Sequence, residues 1–312
     1  RTNSFEVGMN MRFLKNFELD VTYYNAKTMN QTFNPELPVG EYARIYIQTG
    51  AVRNQGLELA LNYNNTWKDF TWNTGVTYSM NKNKILTLAD NAMGSTRFIP
   101  KEGGSMGDIY SLMDLKRDAN GAVYIDENNS VVTESLEANN YIKLGSVLPK
   151  GNLAWRNNFS WKNINVAFLV SARLGGVVFS RTQAVLDNFG VSEASAAARD
   201  KGYVSVNGND RVNPEGWYSV VAGGTAVPQY YIYSATNIRL QEASIGYTIP
   251  RKWLGNVCDI KVSLIGRNLW MIYNKAPFDP ESVASTDNFY QGIDYFMMPS
   301  LRNIGFNLSF KF

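Results

Sequence analysis

The chain has 312 residues, 45% of them hydrophobic and 18% charged, which is too apolar for a disordered segment and enough for one large β structure or two ordinary domains. Its formal charge of +3 comes from basic residues scattered along the chain, which argues against a nucleic-acid surface. Histidine is absent and Cys258 is the single cysteine, so the usual general base, the commonest metal ligand and an internal disulfide are excluded together.

No apolar run approaches the ~20 residues of a membrane-spanning helix. Arg1-Thr2-Asn3 lacks the charged start and apolar stretch of a secretion signal, and the chain runs directly into an extended segment. The N-terminus therefore reads as a cut through a longer protein. From there, alternation with period two dominates. Phe5–Phe13, Phe17–Tyr23 and Leu57–Tyr63 alternate apolar with polar residues. Next, Phe70, Trp72, Val76, Tyr78 and Met80 oppose Thr71, Asn73, Gly75, Thr77 and Ser79. Leu153–Trp161 follows, and then Ile164, Val166, Phe168, Val170, Ala172 and Leu174 against Asn165, Ala167, Leu169, Ser171 and Arg173. Ile238–Ile249 slips phase near Gln241-Glu242, which predicts a bulge. Ile260–Leu264 comes next. The last segment sets Arg302, Ile304, Phe306, Leu308, Phe310 and Phe312 against Asn303, Gly305, Asn307, Ser309 and Lys311. This makes about nine strands, several longer than the ~5–6 residues usual in soluble sheets.

The connections alternate between short and long. Lys15-Asn16, Lys68-Asp69 and Lys162-Asn163 are read as hairpin turns with Asn or Asp where positive φ is tolerated, and Pro250–Val257 is the fourth short turn. Between them lie residues 31–52, 86–151, 176–236 and 274–298. In an up-and-down meander this puts every short turn at one end and every long loop at the other, as in outer-membrane barrels with periplasmic turns and extracellular loops. Phe17, Trp67, Phe70, Trp161, Trp253, Trp270 and Tyr273 near strand ends suit interfacial girdles. The polar face carries Glu6, Arg12, Glu18, Asp20, Glu58, Arg156, Arg173, Lys261 and Arg267, charges that a wet lumen tolerates. The fold class is thus all-β, an antiparallel up-and-down transmembrane β-barrel. An open sheet of about nine strands has two exposed edges, so 1–312 is expected to be the C-terminal part of a larger plugged barrel. A carbohydrate-binding β-sandwich is the rival, and it leaves the strand lengths and the one-sided loops unexplained.

Several stretches resemble the C-terminal half of SusC/RagA-type TonB-linked outer-membrane proteins. They are Asn54-Gln55-Gly56-Leu57-Glu58-Leu59, Leu144-Gly145-Ser146-Val147-Leu148-Pro149-Lys150 and Gly175-Gly176. Ile238–Tyr247, Gly266-Arg267-Asn268-Leu269, Asp279-Pro280-Glu281 and Phe312 complete the series in the family's order. The resemblance implies TonB-dependent import of large nutrients, glycans first and oligopeptides as in RagA-like members second, across the outer membrane of a Gram-negative bacterium of the Bacteroidetes. It also implies a SusD-like surface lipoprotein as lid and TonB–ExbB–ExbD acting on a plug domain. The plug and the TonB box are not among these residues. No cofactor, no metal and no enzymatic activity are expected.

Candidate ligand contacts in the long loops are Trp217, Tyr218, Tyr230, Tyr231, Tyr233, Phe289 and Tyr290, with Tyr295 and Phe296 in the same aromatic group. Their faces stack on sugar rings or peptide side chains, while Asn209, Asp210, Gln229 and Asp294 suit hydrogen bonds to hydroxyls. Loop self-packing is the competing role for each. Asp118-Ala119-Asn120-Gly121 with Asp126 and Glu127 imitates a calcium loop but lacks its full spacing, and reads better as a small hairpin. Asp279 and Glu281 imitate a glycosidase pair and read as solvated or lid-facing carboxylates. Phe312 is similar to the terminal aromatic signal read during barrel assembly.

Overall fold

A computed structural model describes residues 1–33, 47–88, 99–224, 227–255, 257–284 and 291–311. Nine long strands form one sheet: β1 (Thr2–Phe13), β2 (Phe17–Phe33), β3 (Ile47–Trp67), β4 (Phe70–Thr87), β5 (Gly151–Trp161), β6 (Ile164–Leu174), β7 (Asn237–Ile249), β8 (Asp259–Asn274) and β9 (Asn303–Lys311). Each pairs antiparallel with its neighbour in sequence, giving an unbroken meander. Lengths of 17, 21 and 18 residues in β2, β3 and β4 exceed the ~9–11 that cross a bilayer, so these strands project beyond it. They also shorten the connection expected over 31–52 to residues 34–46. The sheet does not close on itself, and its edges are β1 and β9.

Register shows how sharply the two faces differ. Met11, Leu19, Leu61, Val76, Trp155, Val170, Leu240 and Trp270 stand opposite one another in one row across β1 to β8. The next row, on the other face, is Arg12, Glu18, Asn62, Gly75, Arg156, Leu169, Glu242 and Arg267, one residue along in β1 to β6 and, past the bulge, two along in β7 and three in β8. Among the described residues no second layer lies over the apolar face: Phe306 is 81% exposed, Phe5 62% and Ile245 54%. A sandwich would bury these side chains, so the rival architecture is set aside.

Toward the short turns the outward face carries a run of ring contacts. Phe13, Phe17, Tyr63, Trp72, Phe159, Phe168 and Trp155 follow one another at centroid distances of 4.7 to 6.2 Å. The indole N–H groups in this belt are satisfied locally. Trp72 Nε1 donates to Asn157 Oδ1 at 3.1 Å and Trp155 Nε1 to Thr74 Oγ1 at 3.1 Å, which lets them sit on a face without water.

One local expectation needs adjustment and another holds. Positive φ falls on Lys15 (63°), Lys68 (52°) and Lys162 (51°), and not on Asn16, Asp69 or Asn163. The left-handed corner falls on an exposed lysine one position earlier in each turn, and in the first turn Leu14 (49°) shares it; Lys162 lies over the Trp161 ring at 5.4 Å, which offsets part of its cost of about 1–2 kcal/mol. The predicted bulge is present. Gln241 is passed over in the register with both neighbours, and opposite it Asn268 takes φ 50° in β8.

At the other end, three long connections fold together. Val177–Ser180 pairs with Ile232–Ser234 and, in parallel, with Ile293–Asp294, joining the loops after β6 and β8. Helices α1 (Arg181–Asn188), α2 (Glu193–Lys201) and α3 (Pro214–Val221) are each opened by a side-chain cap, from Ser180, Ser192 and Asn213. Leu115 and Val131 from the loop after β4 share a core with Phe179, Val212, Val221 and Tyr231. The cap therefore has its own hydrophobic interior, separate from the single-layer wall.

Candidate functional site: the inner wall and the loop cap

The polar face has short-range order. Arg12 pairs with Glu18 at 3.1 Å, Arg156 donates to Asn62 at 3.0 Å, and Arg267 pairs with Glu242 at 3.0 Å. Gly75 lies between Asn62 and Arg156, and a Cβ there would meet Asn62 Oδ1 at 2.5 Å, so glycine lets the arginine reach across. Lys261 donates to Asn165 at 3.3 Å. These are exposed pairs worth about 0–1 kcal/mol each, so the row makes a hydrophilic wall more than it adds stability.

The motif residues converge at the cap end of this wall. Arg239, 4% exposed, is held by Asp279 at 2.9 Å and by Glu281 at 3.1 Å. Its Nε donates to Asn237 Oδ1 at 3.2 Å, and Asn237 in turn donates to Glu281. Ser300 donates to Asp279, and Asn268 Nδ2 donates to the carbonyl of Ser300 at 3.2 Å. Asp279 is thus not solvated as expected, whereas Glu281 is 41% exposed; Asp279 is nearly buried because the last long loop folds back onto β7. The cluster is a latch between loop and wall. Two further motif residues have steric reasons. A Cβ on Gly56 would lie 2.4 Å from both the Met80 carbonyl and the Tyr24 ring, and Gly176 has φ 85° at the exit of β6.

The candidate ligand residues divide. Tyr231 is buried in the cap core, where its hydroxyl donates to Asp187 Oδ2 at 3.0 Å; burial first and Asp187 second push its phenol pKa up. Trp217 packs against the same core and meets Tyr230 edge-on at 5.4 Å, while Tyr230 is 40% exposed. Tyr233 meets Phe278 at 5.5 Å. Gln229 donates to Asp114 at 2.9 Å and Asp294 accepts from Ser180 at 2.7 Å, so both are internal struts. Asn209 and Asp210 are exposed at a turn, with Asp210 accepting from Asn207 at 3.0 Å. Tyr295 and Phe296 are exposed side by side at 5.4 Å. Phe289, Tyr290 and Phe312 lie outside the described residues.

Tyr218 lines a cavity of about 240 Å³ between the three helices, with Asp187, Asn188, Phe189, Arg199 and Glu215 among its walls. Sequence reading missed all but Tyr218; the aromatic Phe189 directly before Gly190 was the available signal. The calcium-like stretch is two tandem turns. Asp118 Oδ1 accepts from the Asn120 and Ala122 amides, and Asp126 Oδ1 from those of Asn128 and Ser130, so both carboxylates serve the backbone. Among the described residues no group of three or more His, Cys, Asp or Glu is placed to hold a metal ion.

No protein-family model matches the chain. Two TonB-dependent receptors of Formosa agariphila, P3 and P26, are similar to it over its whole length at 25% and 27% identity. The chain spans 34% of each of these curated relatives, about a third of their length. Among solved structures it is similar to the RagAB peptide transporter, with TM-score 0.72 and 16% identity over 100% of this chain and 35% of that one. The RagAB peptide importer in its closed-closed state gives TM-score 0.69 at 15% identity, again over 100% of this chain and 35% of that one.

Proposed function

We propose that this chain, which belongs to the TonB-dependent receptors of the outer membrane and has the SusC/RagA-type barrel fold, forms part of the wall and extracellular mouth of an importer for large nutrients, with glycans as cargo. The observation that carries this reading is the alternation of rows: a largely exposed apolar row lies beside a row across eight strands in which six positions are arginine, glutamate or asparagine. Lipid suits the first and a water-filled passage the second. A folded cap at one end only gives the passage a mouth with aromatic and amide groups suited to sugar rings and hydroxyls. The rest of the importer is proposed with it: a SusD-like lipoprotein above the cap and TonB–ExbB–ExbD acting on a plug.

A second reading, an oligopeptide cargo, is favoured by the fold similarity to the RagAB peptide importer. Uptake separates the two. Cells carrying the full-length receptor, and the deletion strain, are offered fluorescent oligosaccharides and oligopeptides. Saccharide accumulation lost on deletion supports glycan cargo. Loss of peptide uptake alone selects the second reading, and unchanged uptake of both refutes the importer.

A further inference from the structure

We propose that the cavity enclosed by α1, α2 and α3 is a subsite for one neutral sugar ring of the cargo, an inference that rests on the glycan reading above. Its volume, about 240 Å³, is below the ~300 Å³ at which pockets for drug-sized ligands begin, and is on the scale of a single ring. Asp187, 6% exposed, is fixed by two donors, the Tyr231 hydroxyl at 3.0 Å and Gln183 Nε2 at 2.8 Å. Its carboxylate therefore stands in the wall as a rigid acceptor, with its charge already shared between those donors. Beside it, the Tyr218 hydroxyl and the Asn188 amide make no hydrogen bond with any described residue although both line the cavity. Each has donor and acceptor capacity to offer, which is what the adjacent hydroxyls of a sugar require.

Phe189 supplies the apolar element. It caps the end of α1 at the cavity wall and is 73% exposed, so its ring is available for stacking. Arg199, whose guanidinium donates to the Gly190 carbonyl, and Glu215 complete a wall with both signs of charge. An anionic ring would meet two carboxylates there. A lysine side chain would meet Arg199 beside Glu215, and at Asp187 a carboxylate already bound by two donors. A neutral ring meets neither penalty.

The full-length receptor in detergent is tested by saturation-transfer NMR against an equimolar set of methyl glycosides of glucose, galactose, mannose, xylose and N-acetylglucosamine, with Gly-Lys-Gly as a parallel arm. At least one glycoside shows transfer, and Tyr218→Phe, Asn188→Ala and Phe189→Ala each weaken it by roughly fivefold or more, the loss of about one ordinary contact. Tyr218→Phe removes a single oxygen, so circular dichroism of that variant stays native. Transfer to no glycoside, transfer unchanged in the three variants, or transfer to the tripeptide alone overturns the subsite. Oligosaccharide binding that survives in all variants rejects only this cavity, whereas a receptor that binds peptide and no saccharide rejects the glycan reading as well.

Discussion

Replacing Asp279 by Asn tests whether the latch holds the last long loop onto the wall. The substitution preserves shape and removes the charge facing Arg239, which is 4% exposed beside an aspartate that is 10% exposed. Breaking a buried ion pair by removing one partner costs about 3–5 kcal/mol. Here Glu281 still reaches the guanidinium at 3.1 Å, and its 41% exposure lets it screen part of the loss. A net cost of about 2–3 kcal/mol follows, or roughly 30- to 150-fold in the local opening constant of the loop. Hydrogen exchange read by mass spectrometry on peptides covering residues 275–302 of the full-length receptor measures this directly. Glu281→Gln is the control. It removes the more exposed partner, so its effect stays within about 1 kcal/mol, or fivefold. Equal acceleration in both variants, or none with Asp279→Asn, would show that the loop is held by other contacts.

Three further outcomes follow from the wall and the cap. Leu61→Arg puts a charge on the outward face and costs about 2–4 kcal/mol near mid-membrane, while Asn62→Arg one residue along forfeits only the exposed Arg156 bond, about 0–1 kcal/mol; comparable yields of folded, heat-modifiable barrel for the two would contradict the assignment of faces. Asn157→Ala leaves the Trp72 indole N–H unpaired and lowers stability by about 1–3 kcal/mol in urea unfolding from lipid vesicles, a loss that Trp72→Phe in the same background removes. Tyr231 gives the cap a pH limit. Its pKa is raised above the ordinary 10.0 by burial and by Asp187, so its contribution is complete below pH 10 and declines above it, because the unfolded phenol ionises while the folded one stays protonated. Titration of tyrosinate absorbance shows this residue ionising after the exposed tyrosines, and Tyr231→Phe removes that late phase. A single transition near the ordinary value would disprove the buried assignment.

The long strands and their meander order were legible because side chains of a strand alternate between faces, and here one face meets lipid and the other water. That forces a period-two pattern that no helix or loop imitates over so many residues. The bulge at Gln241 was visible for the same reason, as a slip in phase. Turn chemistry was read less well. A left-handed lysine stands in all three tight turns, joined in the first by Leu14, since backbone closure, and not side-chain preference, chose the positions.

The cap was not legible in this way. Tyr230 and Tyr231 are neighbours in a run of aromatics, yet one is 40% exposed and the other 3%, a difference set by where the chain turns against Phe179 and Val221. Nor does local pattern say that Arg239 meets Asp279, forty residues on, or that Asp187 and Tyr218 share a cavity wall. By itself, the sequence determined the wall: its faces, its strands and which end bears the loops. Only the tertiary structure decided the cap, the latch and the cavity, because those depend on contacts between distant segments, and alternation within a strand carries no information about which loop will fold back against which.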